Sequence, residues 1–201
     1  MKEKTFFGFF FVLSLLTLFF LRDLAAKNST EEEKILKVGI GAFQDGFDQI
    51  AAKQFSQFLT DYPNHPKSQE IRYLLGKTFL NTGKWKETRT AFLKILQENK
   101  DFEATDYALF WLAVAEVKLG NAEAARKALL SVVQQFPKFD WLDYAYYLLG
   151  HLDFRYRVSQ AESSFKKASL ISKHQELIRS SFFWLGILSY KQKHYETAIG
   201  Y

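Results

Sequence analysis

An internal period of 37 residues restricts the folding of this chain more than any other feature. Four stretches align: YLLGKTFLNTGKW from Tyr73, FWLAVAEVKLGNA from Phe110, YLLGHLDFRYRVS from Tyr147 and FWLGILSYKQKHY from Phe183. Each runs from an aromatic residue through Leu to a small residue, then through apolar positions to a break. The small residues are Gly76, Ala113, Gly150 and Gly186, and Gly39 fits one step earlier, giving intervals of 37, 37, 37 and 36. Self-similarity at a fixed period of this size means stacked copies of one supersecondary element.

A second comb follows the first. Ala51, Thr88, Ala125 and Ala198 lie 12 residues after their small residue. Phe55, Phe92 and Leu129 come four later, and Phe58, Ile95 and Val132 three after that. Steps of four and three mark one face of a second helix. In the fourth repeat Ala161, Phe165 and Ala168 keep these steps one residue early, so its turn is one residue shorter. Gly46, Gly83 and Gly120, seven residues after the first small residue, are placed to end the first helix in a left-handed conformation. Pro63, Pro66 and Pro137 fall between repeats, where lost helix hydrogen bonds matter least. Thr30 with Glu33 and Ser159 with Glu162 have capping-box spacing, and Asp140 or Ser68 is placed to cap a first helix.

The expected unit is two antiparallel helices, A and B, crossing at roughly 8–10 Å. Gly39, Gly76, Ala113, Gly150 and Gly186 are the expected points of closest approach on helix A. One pair alone leaves an apolar face bare, so the pairs must stack.

These residues resemble the tetratricopeptide repeat family, whose pattern is a small residue in helix A, Gly at the turn, then Ala, an aromatic and Ala in helix B, then Pro. Repeat one has Gly39, Gly46, Ala51, Phe55 and Pro63; repeat two has Gly76, Gly83, Trp85 and Phe92, with Thr88 in place of the Ala; repeat three has Gly120, Ala125 and Pro137. The longer period and the TDYPNHP and QQFPKF junctions are similar to bacterial envelope members such as the barrel-assembly lipoprotein and the Tol–Pal coordinating protein. The resemblance implies an all-α superhelix, an α-solenoid of antiparallel pairs, with about five repeats over residues 31–201 and the last incomplete.

Residues 5–21 carry no charge, and Lys2 and Lys4 precede them. A run of 17 residues is at the lower edge for spanning a bilayer, and the basic start keeps that end in the cytoplasm. Residues 1–26 therefore read as a signal peptide cleaved near Ala25 or Ala26, or as an uncleaved transmembrane anchor, and residues 27–30 as a linker. Either reading exports the repeats to the cell envelope, periplasmic or held at the inner membrane.

Catalytic signals are missing. There is no cysteine, so no disulfide, thiolate metal site or cysteine nucleophile is possible. No phosphate-binding glycine loop, zinc signature or nucleophile elbow occurs. His65, His151, His174 and His194 have no metal or acid–base spacing; His151 and Asp153, two apart on a helix, point to different sides. The sequence thus predicts no enzyme, cofactor or metal, and no small-molecule substrate. Charge is uneven: from Arg155 to Lys193 eight Lys/Arg stand against Glu162 and Glu176. That excess suits a solvated surface, or an acidic partner or anionic lipid docking on the C-terminal half. Exported location makes nucleic acid an unsuitable ligand.

The expected function is a protein-interaction scaffold or adaptor. The alternative is an accessory repeat domain of an envelope enzyme or assembly system. Leu36, Tyr73, Phe110, Tyr147 and Phe183 each precede the small residue by three, a position that lines the concave groove in the family resembled. Gln44, Asn81, Lys118, Arg155 and Lys191 each follow it by five. Such rings flanked by cations and amides suit an extended peptide with apolar side chains and carboxylates. The same rings also fit a purely structural stripe with Phe43, Leu80, Val117, Phe154 and Tyr190.

Overall fold

A computed structural model describes residues 31–98, 102–154 and 157–201. The apolar segment 5–21, its cleavage or anchoring, and the Thr30 cap lie outside the described residues. Among those described there are ten helices and no strand. They are α1 (residues 31–44), α2 (Asp48–Asp61), α3 (Ser68–Asn81), α4 (Trp85–Glu98), α5 (Thr105–Lys118), α6 (Ala122–Gln135), α7 (Leu142–Asp153), α8 (Val158–Ile171), α9 (Gln175–Lys191) and α10 (Tyr195–Gly200). Odd-numbered helices are the A members and even-numbered the B members. No described helix is long and apolar enough to cross a membrane.

The chain forms two compact bodies, divided at Thr78 and Phe79. In the N-terminal body, α1 and α2 cross where Gly39 meets Phe55: a Cβ on Gly39 would stand 2.9 Å from that ring. Ala51, Phe55 and Phe58 of α2 are fully buried, which accounts for the four-and-three spacing. Beyond α2, Ser68 donates its hydroxyl to the Tyr62 carbonyl at 3.1 Å, and His65 meets Glu32 at 2.6 Å.

The C-terminal body is a succession in which each helix from α4 to α10 packs on the next, and α7 also touches α9. Two apolar clusters hold it. One gathers Phe110, Ala113, Leu129, Val132, Phe139 and Leu149; the other gathers Ala161, Phe165, Leu185 and Leu188. Helix α5 is covered on several sides and so lacks a clean amphipathic stripe; it buries Ala108, Phe110, Leu112, Ala113, Ala115 and Glu116. Buried Glu116 takes a hydrogen bond from Asn121 at 2.7 Å. Thr88, standing where the repeat pattern has Ala, is fully buried and donates its hydroxyl to the Lys84 carbonyl at 2.9 Å, so only its methyl needs an apolar neighbour.

Four of the A-to-B turns share one geometry. Gly46, Gly83 and Gly120 have φ of 77°, 68° and 79°, a region that a Cβ disfavours. In each, the glycine N–H reaches three residues back and the following N–H five residues back, as Lys84 does to Phe79 at 2.9 Å and Asn121 to Glu116 at 2.8 Å. These paired bonds satisfy carbonyls that the helix end leaves free. Lys193 holds the same place in the fifth repeat at φ 64°, with Lys193 bonded to Tyr190 and His194 to Ser189, both at 2.9 Å. Lys193→Gly is therefore expected to stabilise the chain by about 1 kcal/mol, read as a raised urea midpoint. An unchanged or lower midpoint would show that this turn carries no strain.

Two expected caps take other roles. Helix α8 starts at Val158 after Arg157, so Ser159 lies inside it and forms no cap. Helix α7 follows Trp141, and Asp140 instead accepts the Tyr107 hydroxyl at 2.6 Å.

Candidate functional site

The ring ladder is not uniform. Leu36 and Phe110 are buried, Tyr73 and Tyr147 are half-buried, and Phe183 is 61% exposed. Phe110 belongs to an aromatic cluster: its ring centre lies 5.5 Å from Phe139, 5.6 Å from Trp141 and 5.2 Å from Trp111. Tyr107 meets Phe139 and Trp141 edge-on at 5.0 and 5.1 Å. Five aromatic residues, Tyr107, Phe110, Trp111, Phe139 and Trp141, thus meet at the junction between repeats three and four. Tyr147 sits against His151 at 4.5 Å and Phe165 at 5.8 Å, with one part of the ring left open.

The polar ladder is open to solvent. Gln44, Asn81, Lys118 and Lys191 are exposed, and Arg155 lies outside the described residues. Within the C-terminal body two of its cations stand over rings of the preceding repeat. Lys118 lies 5.7 Å from the Trp85 ring centre and Lys191 lies 4.3 Å from that of Phe154. A cation over an aromatic face is held without being neutralised. Both ammonium groups are therefore positioned by a ring of the preceding repeat.

The small residues expected at the helix crossings are placed as follows. Gly39, Gly76, Ala113 and Gly150 are buried, and Gly186 is half-buried. A Cβ on Gly150 would stand 2.6 Å from Phe165, and one on Gly186 would stand 3.4 Å from the Ala198 carbonyl oxygen.

An ion network that the repeat pattern did not reveal joins repeats three and four. Asp153 is almost wholly buried and accepts from Arg126 at 2.6 Å and from Arg157 at 3.4 Å. Arg157 also donates to Glu123 at 2.7 Å, and this hydrogen bond, with the Asp153 charge, pushes the guanidinium pKa up. These partners lie 27 and 34 residues apart, beyond any local motif. Among the described residues no group of three or more His, Asp or Glu comes together in a way that could hold a metal ion.

His151 is enclosed by Tyr147, Phe165 and Trp184, with ring centres 4.5, 5.3 and 4.7 Å away. Burial lowers its pKa below the ordinary 6.5. The unfolded chain then binds the proton first as pH falls. Stability is expected to drop as pH goes below about 6.5, and His151→Phe should flatten that dependence. Urea midpoints at pH 7.5 and 5.5 for both proteins check this. An equal drop in the variant would assign the acid sensitivity to other groups.

Comparison with known proteins agrees with the helical-repeat fold. Residues 107–138, which span α5 and α6, match the family model for the tetratricopeptide repeat. No curated relative matches the sequence. Among solved structures, the MamA protein superposes with a TM-score of 0.72 at 18% identity, covering 84% of this chain and 86% of that one. A tetratricopeptide repeat protein from Parabacteroides merdae gives 0.69 at 17% identity, covering 83% of this chain and 62% of that one. PilF of Pseudomonas aeruginosa gives 0.63 at 18% identity, covering 84% and 72%. Residues 107–138 are thus a tetratricopeptide repeat, and the chain has the all-helical fold of tetratricopeptide-repeat proteins.

Proposed function

We propose that this protein is a non-catalytic interaction scaffold of the bacterial cell envelope that binds an extended, acidic segment of a partner protein along its A helices. The observation that carries the reading is the pair of cations held over rings, Lys118 on Trp85 and Lys191 on Phe154. Exposed Asn81 supplies an amide at the same repeat position, and Tyr147 and Phe183 offer partly or largely open rings. Tyr73 holds the equivalent position in the N-terminal body, and Phe110, being buried, acts through the core. An extended chain with alternating apolar and acidic side chains matches this combination of anchors and fixed charges.

The test is charge reversal of Lys118 and Lys191 to Glu in the full chain, followed by crosslinking and recovery of partners from membranes. Recovery is expected to fall by tenfold or more with an unchanged melting temperature. Undiminished recovery would overturn the groove reading. Envelope placement rests on residues 5–21 and their basic flank. A reporter active only after export, fused behind residue 40, is expected to be active, and a cytoplasmic signal would end that part of the proposal.

A further inference from the structure

The first helix pair has an exposed face whose composition differs from the same face of the later repeats. In repeat four that face meets repeat three. Ala145 and Leu149 lie in the repeat-three core cluster, and Leu148 packs against it. Arg157 reaches Glu123, and Gln160 and Ser163 line a groove with Leu130 and Val133. The corresponding residues of repeat one are Lys34, Lys37 and Val38 on α1, and Phe47, Ile50 and Lys53 at the start of α2.

Polarity is reversed at these positions in both directions. Lys34 stands where the later repeats have Ile71, Ala108, Ala145 and Ser181, all buried. Lys37 stands where they have Leu74, Trp111, Leu148 and Trp184. Both lysines are exposed. Phe47, conversely, stands where the later repeats have Lys84, Asn121, Arg157 and His194, and Ile50 where they have Glu87, Ala124, Gln160 and Thr197. Phe47 is 59% exposed, Ile50 48% and Val38 44%. Exposed apolar side chains bordered by lysines suit contact with anionic lipid, where the apolar groups enter the headgroup boundary and the cations meet lipid charge.

Charge and chain path select this occupant. Glu31, at the Leu142 position, shares the face with the three lysines, whereas Glu32 is turned to His65. A second copy of the same face would set lysine against lysine. The apolar run 5–21 ends ten residues before α1 begins. Even fully extended, that link reaches no more than about 36 Å. A bilayer that holds the run therefore keeps the first repeat close to its surface.

We infer that Val38, Phe47 and Ile50 rest on an anionic lipid surface, with Lys34, Lys37 and Lys53 at the headgroups, so that repeat one is the membrane-contacting end of the array. This rests on residues 5–21 anchoring the chain, as envelope placement does, and is independent of the peptide groove.

The test uses the full chain reconstituted into phosphatidylcholine vesicles with or without phosphatidylglycerol. Because the chain has no cysteine, Phe47→Cys, Ile50→Cys and Lys127→Cys each create one site for an environment-sensitive fluorophore. With phosphatidylglycerol present, lipids brominated on their acyl chains are expected to quench the label at positions 47 and 50 about twofold or more, and to leave the label at position 127 on α6 unchanged. Lys34→Glu with Lys37→Glu, both at exposed positions, should remove most of that quenching without lowering the melting temperature. Omitting phosphatidylglycerol should do the same. Quenching at positions 47 and 50 no greater than at 127, or equal with and without phosphatidylglycerol, overturns the inference. So does a label shielded from water yet untouched by brominated lipid, since the face would then be covered by the chain itself or by a second copy. An alkaline carbonate wash reads the anchor separately. Chain retained on the vesicles with unquenched labels refutes the lipid-facing surface alone, whereas quenched labels on chain that the wash strips refute the anchor alone.

Discussion

Gly150→Leu is expected to be among the most destabilising single substitutions in the C-terminal body. A Cβ at this position would lie 2.6, 2.7 and 2.8 Å from three ring atoms of Phe165. Phe165 cannot withdraw, because it is fully buried and enclosed by Tyr147, His151 and Trp184. Relief would require α7 and α8 to separate, which opens the cluster of Ala161, Leu185 and Leu188. Overpacking of this kind costs about 1–3 kcal/mol, and more where the backbone must shift. Gly41 supplies the control. It is also helical, yet a Cβ there would meet nothing within 4 Å. Gly41→Ala is therefore expected to be neutral or to stabilise by up to about 1 kcal/mol through helix propensity alone. Urea melts of both variants decide the matter. Equal effects at the two glycines would mean that close approach of the helices is not what Gly150 provides.

Arg126→Met is the second large effect. Asp153 is almost inaccessible, and Arg126 is its shortest partner at 2.6 Å. Removing the guanidinium leaves a buried carboxylate whose remaining cation, Arg157, is 3.4 Å away and shared with Glu123. Breaking a buried pair from one side costs roughly 3–5 kcal/mol, and the remaining Arg157 contact places this case near 3. The double variant Arg126→Met, Asp153→Leu removes both charges together. It should recover most of the loss, because no unpaired charge then stays buried. A double variant as unstable as the single one would show that Arg126 acts through packing of its stem.

The repeat architecture was legible in the sequence because small residues and turn glycines act locally. Gly46, Gly83 and Gly120 recur at one offset, and each adopts the positive φ that its turn requires. Gly39 and Gly150 face Phe55 and Phe165, residues that the second comb had already set on helix B. The environment of equivalent positions was not legible, because it depends on what the neighbouring repeat supplies. Phe110 and Phe183 share a repeat position, yet one is 5% and the other 61% exposed. Phe139 and Trp141, from the PKFDW junction, cover Phe110, whereas Phe183 lines an open cleft with Ile187, Tyr190 and Ile199. Ser159 with Glu162 has capping spacing, but Arg157, turned toward Asp153 and Glu123, takes the N-cap place two residues earlier. The Arg126–Asp153 pair had no sequence signal, since it joins side chains from two different repeats.

The central claim, that the A helices carry a partner segment, is tested most directly by site-specific photocrosslinking in cells. A photoreactive amino acid is placed at Asn81 or Lys118 on the A helices, and in parallel at exposed Lys127 on α6. Mass spectrometry then maps the captured peptides. The account predicts one acidic peptide sequence captured from both A-helix sites and absent from the Lys127 control. Capture of that peptide at Lys127 alone, or unrelated peptides at every site, would contradict it.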